Sequence, residues 1–112
     1  MAHSFWTLLA ISERGVHTIG GDPRHLLDAG CRVLALKRGA KGCRILTRDE
    51  DVTVPAAVLD VVDTTGAEDS FAAGAILAVL EGVDAATIGA RANYAGARAA
   101  STRGAGQALF AE

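Results

Sequence analysis

Short apolar runs alternate with polar, glycine-bearing stretches along the chain, and this rhythm predicts its elements. Phe5–Ile11 reads as a buried strand, and Glu13–Gly21 as a loop or an irregular helix. Asp22-Pro23 opens a short helix through Leu26, Leu27 and Ala29, with Asp22 as N-cap and Gly30 as the stop. Val33–Leu36 is a short strand, and Lys37–Gly42 a glycine turn. Cys43–Thr47 and Val52–Val54 are strands around the charged turn Arg48–Asp51, closed by Pro55. Val58–Val62 is a further strand. Asp69–Leu80 is a helix with apolar residues almost all round, which implies burial on several sides. Asp84 starts a second helix to about Ser101. Its stripe Ile88, Ala92, Ala95, Ala99 has helical period and small side chains.

Alternating strands and helices indicate an α/β layer structure with its ligand site at the carboxyl ends of the strands. At 112 residues the chain is one small domain, residues 1–112, or a piece of a larger one. Half of its residues are hydrophobic, enough for a real core, and Ala, Val and Leu dominate them. A formal charge of −2 with scattered basic residues argues against a nucleic-acid partner. The N-terminal apolar run is too short to span a membrane and lacks the basic flank of a signal peptide, so a cytoplasmic chain with no membrane partner is expected. Cys31 and Cys43 match neither a redox pair nor a zinc site and read as reduced, partly buried thiols. His3, His17 and His25 show no metal-ligand spacing.

The candidate chemistry lies in Val62–Gly74, V-D-T-T-G-A-E-D-S-F-A-A-G, a polar turn between an apolar run and an apolar helix. A helix start aims backbone N–H groups at whatever sits above it, which suits a phosphate. Asp69, in the first turn, is placed to accept a proton from an attacking hydroxyl. Both glycine turns, Gly39–Gly42 and Gly66–Asp69, follow strands, so they are expected to face one crevice.

The stretch D-T-T-G-A-E-D-S-F-A-A-G resembles the signature D-T-x-G-A-G-D-x-F-x-x-G of the ribokinase/phosphofructokinase-B sugar kinases. V-L-A-L-K-R-G-A-K-G-C is similar to that family's strand and nucleotide-binding loop, and A-R-A-N-Y-A-G-A-R-A-A-S-T-R-G-A to its closing helix and adenine-side loop. The resemblance runs from about Leu26 to Ala105. It implies the C-terminal, nucleotide-binding portion of a ribokinase-like three-layer α/β sandwich with an incomplete sheet, and transfer from ATP and Mg2+ to a sugar hydroxyl. By resemblance Asp69 is the general base, and Gly66, Ala67 and Glu68 belong with it to the anion hole. Lys37, Gly39, Ala40 and Gly42 match the loop beside the nucleotide's phosphates and ribose, and Asn93 a residue near the adenine. Asp63, Thr65, Ala99, Thr102 and Gly104 fall where many members hold a monovalent cation such as K+. Each position also has a plain reading: Gly39 and Gly42 a tight turn, Asn93 a polar helix flank, Asp63 a turn residue, Asp69 a helix-start acid.

Two departures stand against full activity. Glu68 occupies a position where the family has glycine. Two like unit charges about 4 Å apart at an effective dielectric of about 20 repel by about 4 kcal/mol. Thr65-Gly66-Ala67-Glu68 also fits the capping box T-x-x-E, in which Thr65 caps the amide of Glu68 and the glutamate reaches back. The second departure is length, because family members carry an N-terminal part that supplies most of the sugar site, and this chain also lacks the family's N-x-x-E magnesium motif. The alternative to an enzyme is a non-catalytic remnant or regulatory, nucleotide-binding module. A sheet without its neighbouring strands exposes an edge and apolar faces, so a homo-oligomer is expected.

Overall fold

The computed structural model of the chain describes residues 8–18, 21–57, 62 and 66–101. Their order is β1 (Leu8–Ser12), α1 (Glu13–Thr18), α2 (Arg24–Asp28), β2 (Val33–Lys37), a 3-10 turn (Gly39–Lys41), β3 (Cys43–Leu46), β4 (Asp51–Val54), α3 (Ala67–Glu81) and α4 (Ala85–Ala100). The strands form one sheet in the order β1-β2-β3-β4. β1 and β2 run parallel, with Leu8 opposite Val33 and Ser12 opposite Lys37. β3 is antiparallel to β2, and β4 to β3.

Side chains alternate faces along a strand, and this divides the core in two. Val33 and Ala35 of β2 and Cys43 and Ile45 of β3 pack with Phe71, Ala75 and Ala78 of α3 and Ala85, Ile88 and Ala92 of α4. Leu34, Leu36 and Leu46 pack with Val16 of α1, Leu27 of α2 and Cys31. Helices therefore cover both faces, giving a three-layer α/β arrangement with a partial, mixed sheet. Small residues bring α3 and α4 close: a Cβ on Gly96 would lie 3.2 Å from the Ala67 carbonyl oxygen and 3.3 Å from Phe71 Cβ.

The turn chemistry follows the sequence closely. At the head of α2 the N-cap is Pro23 rather than the expected Asp22, which stands one residue earlier and accepts the Arg24 amide on its Oδ1 at 2.9 Å. Asp84 Oδ1 accepts the Thr87 amide at 2.9 Å at the head of α4. Between β3 and β4, Thr47 Oγ1 accepts the Glu50 amide at 2.9 Å, and Arg44 grips Asp51 with bonds of 2.8 and 2.7 Å.

Two expectations are modified. The stretch after β1, expected as a loop or an irregular helix, is a short helix, α1, over Glu13–Thr18. Ser12 Oγ accepts the Gly15 amide at 2.9 Å, and Val16 anchors the turn in the core. The apolar helix α3 is also less enclosed than the burial on several sides that its pattern implies, because Ile76, Leu77 and Leu80 are 47%, 62% and 76% exposed. α3 rests on β1, the edge of the described sheet, so among the described residues its outer side meets no further layer. The expected strand Val58–Val62 falls largely outside the described residues; Val62 itself donates its amide to the Ala100 carbonyl at 2.7 Å. No helix among the described residues is long and apolar enough to cross a membrane.

Candidate functional site

The first wall of the site is the exit of β2. Lys37 ends the strand, and the chain reverses through Gly39–Lys41 into β3. The Arg38 amide donates to the Gly42 carbonyl at 2.8 Å, and the Gly42 amide to the Gly39 carbonyl at 3.0 Å. Gly42 has φ 94° and ψ −130°, a region open essentially to glycine alone. A Cβ there would overlap the Val54 carbonyl oxygen and lie 2.7 Å from Ala56 N. The Lys37 ammonium sits 5.9 Å from the centroid of the Phe71 ring, a cation–π contact that orients it.

The second wall is the head of α3. Gly66, with φ 79°, is the N-cap, and no side chain among the described residues caps the helix. The Ser70 amide is the first to bond back, to the Gly66 carbonyl at 2.9 Å. The amides of Ala67, Glu68 and Asp69 therefore have no partner among the described residues. This corrects the capping-box expectation, which needs the N-cap at Thr65. With Gly66 as the cap, Glu68 falls one position too early in the helix to reach back as a box residue. Thr65 itself lies outside the described residues.

The two walls enclose one open cleft of about 640 Å³. It brings together Lys37, Gly39, Ala40 and Gly42 from the first turn, Gly66, Ala67, Glu68 and Asp69 from the second, and Asn93 from α4. Glu68 and Asp69 are both exposed, and neither carboxylate makes an ion pair among the described residues. Glu68 also faces an adjoining groove with Lys37, Arg38 and Lys41, so it stands on the divide between the cleft and a basic surface.

Asn93 is engaged locally: its Nδ2 donates to the carbonyls of Val54 at 3.2 Å and Pro55 at 2.8 Å. Of the candidate cation set, Ala99 is buried near the end of α4 and away from the cleft lining. Asp63, Thr65, Thr102 and Gly104 lie outside the described residues. Sequence reasoning missed Ala56 and Ala57, which carry no chemical signal, and Gly96 and Ala97, which also line the cleft. Gly96 and Ala97 lie beside, not on, the small-residue stripe of α4, and the abundance of small residues in that helix was the only sign of them. Both cysteines are free and buried. Burial pushes the Cys43 thiol up to about 11 and raises that of Cys31, so neither is poised as a nucleophile. No group of three or more His, Cys, Asp or Glu among the described residues is arranged to hold a metal ion.

A three-layer α/β unit with this cleft at the strand ends is a ribokinase-like fold. It superposes on an Escherichia coli protein described as a ribokinase II, solved with ATP and Mg2+, with a TM-score of 0.79, 28% identity, and coverage of 90% of this chain and 35% of that one. Aminoimidazole riboside kinase from Salmonella enterica, solved with aminoimidazole riboside and an ATP analogue, gives a TM-score of 0.77 and 30% identity over 92% of this chain and 38% of that one.

The chain belongs to the pfkB family of carbohydrate kinases, whose pattern matches residues 22–110. An uncharacterized sugar kinase of Archaeoglobus fulgidus is 37% identical over 83 residues, 74% of this chain and 33% of that protein. The chain thus spans about a third of the length of the relatives it matches.

Proposed function

We propose that the cleft receives the phosphates of MgATP, and that the reaction it serves is phosphoryl transfer from ATP to a hydroxyl of a sugar or sugar-like substrate. The observation that carries this reading is the meeting of three helix-start amides, Ala67, Glu68 and Asp69, which have no partner among the described residues, with Lys37 and the Gly39–Gly42 turn around one cleft. Phosphoryl transfer is catalysed mainly by positioning and charge stabilisation, and this arrangement offers both. The substrate hydroxyl gives its proton to the Asp69 carboxylate as its oxygen bonds to the γ-phosphorus. The bond from that phosphorus to the β,γ-bridging oxygen breaks, and ADP leaves. The amides of residues 67–69 and the Lys37 ammonium offset the charge on the transferring group.

The lining fits the nucleotide's phosphates, since it offers donors, glycines that admit close approach, and one cation. Magnesium is commonly held largely by phosphate oxygens and waters, so the ion would enter this cleft with the nucleotide's phosphates and leave Asp69 free to act as the base. When bound, the ion neutralises charge on the phosphates. The cation set Asp63, Thr65, Ala99, Thr102 and Gly104 belongs to this reading as a site for K+ beside the anion hole.

Glu68 lowers the efficiency of the site by placing a carboxylate where phosphate charge arrives. Glu68→Gly is expected to tighten MgATP binding about ten- to a hundredfold, which titration calorimetry reads directly. Equal affinity in the two proteins would show that the carboxylate turns away.

A second reading is a non-catalytic module that keeps the fold and self-associates in the cytoplasm. The exposed Ile76, Leu77 and Leu80 together with the place of β1 at the edge of the described sheet favour it. Light scattering at micromolar concentration is expected to give a dimer or larger species; a clean monomer would remove self-association. Absence of heat with millimolar MgATP for both wild type and Glu68→Gly would remove the kinase reading, and phosphorylation of any sugar by the wild-type chain would remove the module.

A further inference from the structure

We infer that Asn93 is a positioning residue: it shapes the nucleotide cleft by holding the backbone of residues 54–56, and its amide nitrogen has no hydrogen left to donate to the nucleotide base. The cleft's identity as a nucleotide site rests on the reading above; the clamp itself does not.

A carboxamide nitrogen has two hydrogens to donate. Both hydrogens of Asn93 Nδ2 are engaged, one by the Val54 carbonyl at 3.2 Å and one by the Pro55 carbonyl at 2.8 Å. These carbonyls stand where β4 ends, and Pro55 has no N–H with which to extend the ladder. They need donors from elsewhere, and α4 supplies them across 39 and 38 residues of sequence.

The same segment is gripped from the other side. Gly42 abuts it so closely that a Cβ would overlap the Val54 oxygen and come within 2.7 Å of Ala56 N and Pro55 C. Residues 54–56 are thus held between the Asn93 amide and the Gly42 backbone. Ala56, Ala57, Gly42 and Asn93 all line the cleft, so this clamp sets the distance between the glycine turn and α4. Beneath it lies Cys43, fully buried, whose thiol faces the Gly89 carbonyl at 3.6 Å. Opening the clamp would uncover that thiol.

The decisive variant is Asn93→Asp, which keeps the size but turns the donor into an oxygen facing two carbonyl oxygens. Amide hydrogen exchange at Gly42, Ala56 and Ala57 is expected to accelerate about tenfold, and labelling of Cys43 by a thiol reagent, read in Asn93→Gln, which sets no carboxylate beside the thiol, to accelerate with it. MgATP and MgITP, whose purine edges carry different donor and acceptor patterns, are expected to weaken by the same factor, also about tenfold. Both losses should shrink as the pH is lowered from neutral, because the protonated carboxyl donates again.

Unchanged exchange and labelling would overturn the clamp. Weakening of MgATP without MgITP would overturn the positioning role and show a base contact. If the wild-type chain binds neither nucleotide, the nucleotide reading fails, while exchange and labelling still decide whether Asn93 holds residues 54–56. Should Asn93→Asp not fold, Asn93→Gln keeps the amide on a longer arm. It is then expected to give intermediate exchange and equal effects on both nucleotides, with the same results overturning the inference.

Discussion

Asp69→Asn is expected to slow phosphoryl transfer by about two to four orders of magnitude while leaving MgATP affinity nearly unchanged. Asp69 lies in the first turn of α3 with its side chain exposed in the cleft, beside the helix-start amides of residues 67–69. The asparagine side chain has the same shape and leaves those amides in place, so the anion-binding geometry survives. What it loses is the ability to take the proton of an attacking hydroxyl at neutral pH. A base contributes to the transition state and little to nucleotide binding, so the loss belongs in kcat. Measured in the Glu68→Gly background, where binding is strongest, a loss of less than about threefold would place the base elsewhere. A parallel loss of MgATP affinity would instead mark Asp69 as part of the binding surface.

Gly42→Ala is expected to cost about 3 kcal/mol of folding stability, read as a fall in denaturant midpoint. Two effects add at this position. Its backbone, at φ 94° and ψ −130°, strains any residue with a Cβ. The added carbon has nowhere to go, because the Val54 carbonyl, Pro55 and Ala56 are backbone and cannot rotate aside. Gly39, in the same turn, is the internal control. Its φ is 61°, but no atom lies within 4 Å of where a Cβ would stand. Gly39→Ala should therefore cost only about 1 kcal/mol, from backbone strain alone. Equal costs at the two positions would mean that the close approach of Gly42 to β4's exit is relieved in solution.

Features set by neighbours in sequence were readable from the chain. The acid at Asp84 caps α4 as its position before an apolar-periodic run suggests. The glycine turns after strands do meet in one cleft, because parallel pairing of β1 and β2 and the layering of α3 over them bring strand exits and helix starts to the same end. Features set by distant partners were not readable. The Thr65–Glu68 spacing fits a capping box in one dimension, but the positive φ of Gly66 starts the helix one residue later. Asn93 reads equally well as a base contact or a helix flank until β4 is placed against α4 and its amide is found on Val54 and Pro55. The apolar side of α3 reads as buried because composition alone says nothing of what covers it. Ile76, Leu77 and Leu80 are exposed in a chain that spans about a third of its relatives.

The central claim is that the two turns form one nucleotide-phosphate site. An amide-resolved NMR titration of the chain with MgATP tests it most directly. The expected result is saturable, concerted shifts at Gly39–Gly42 and at Gly66–Asp69, with one common dissociation constant that falls in Glu68→Gly. Shifts confined to other surfaces, or none at millimolar nucleotide in either protein, would contradict it.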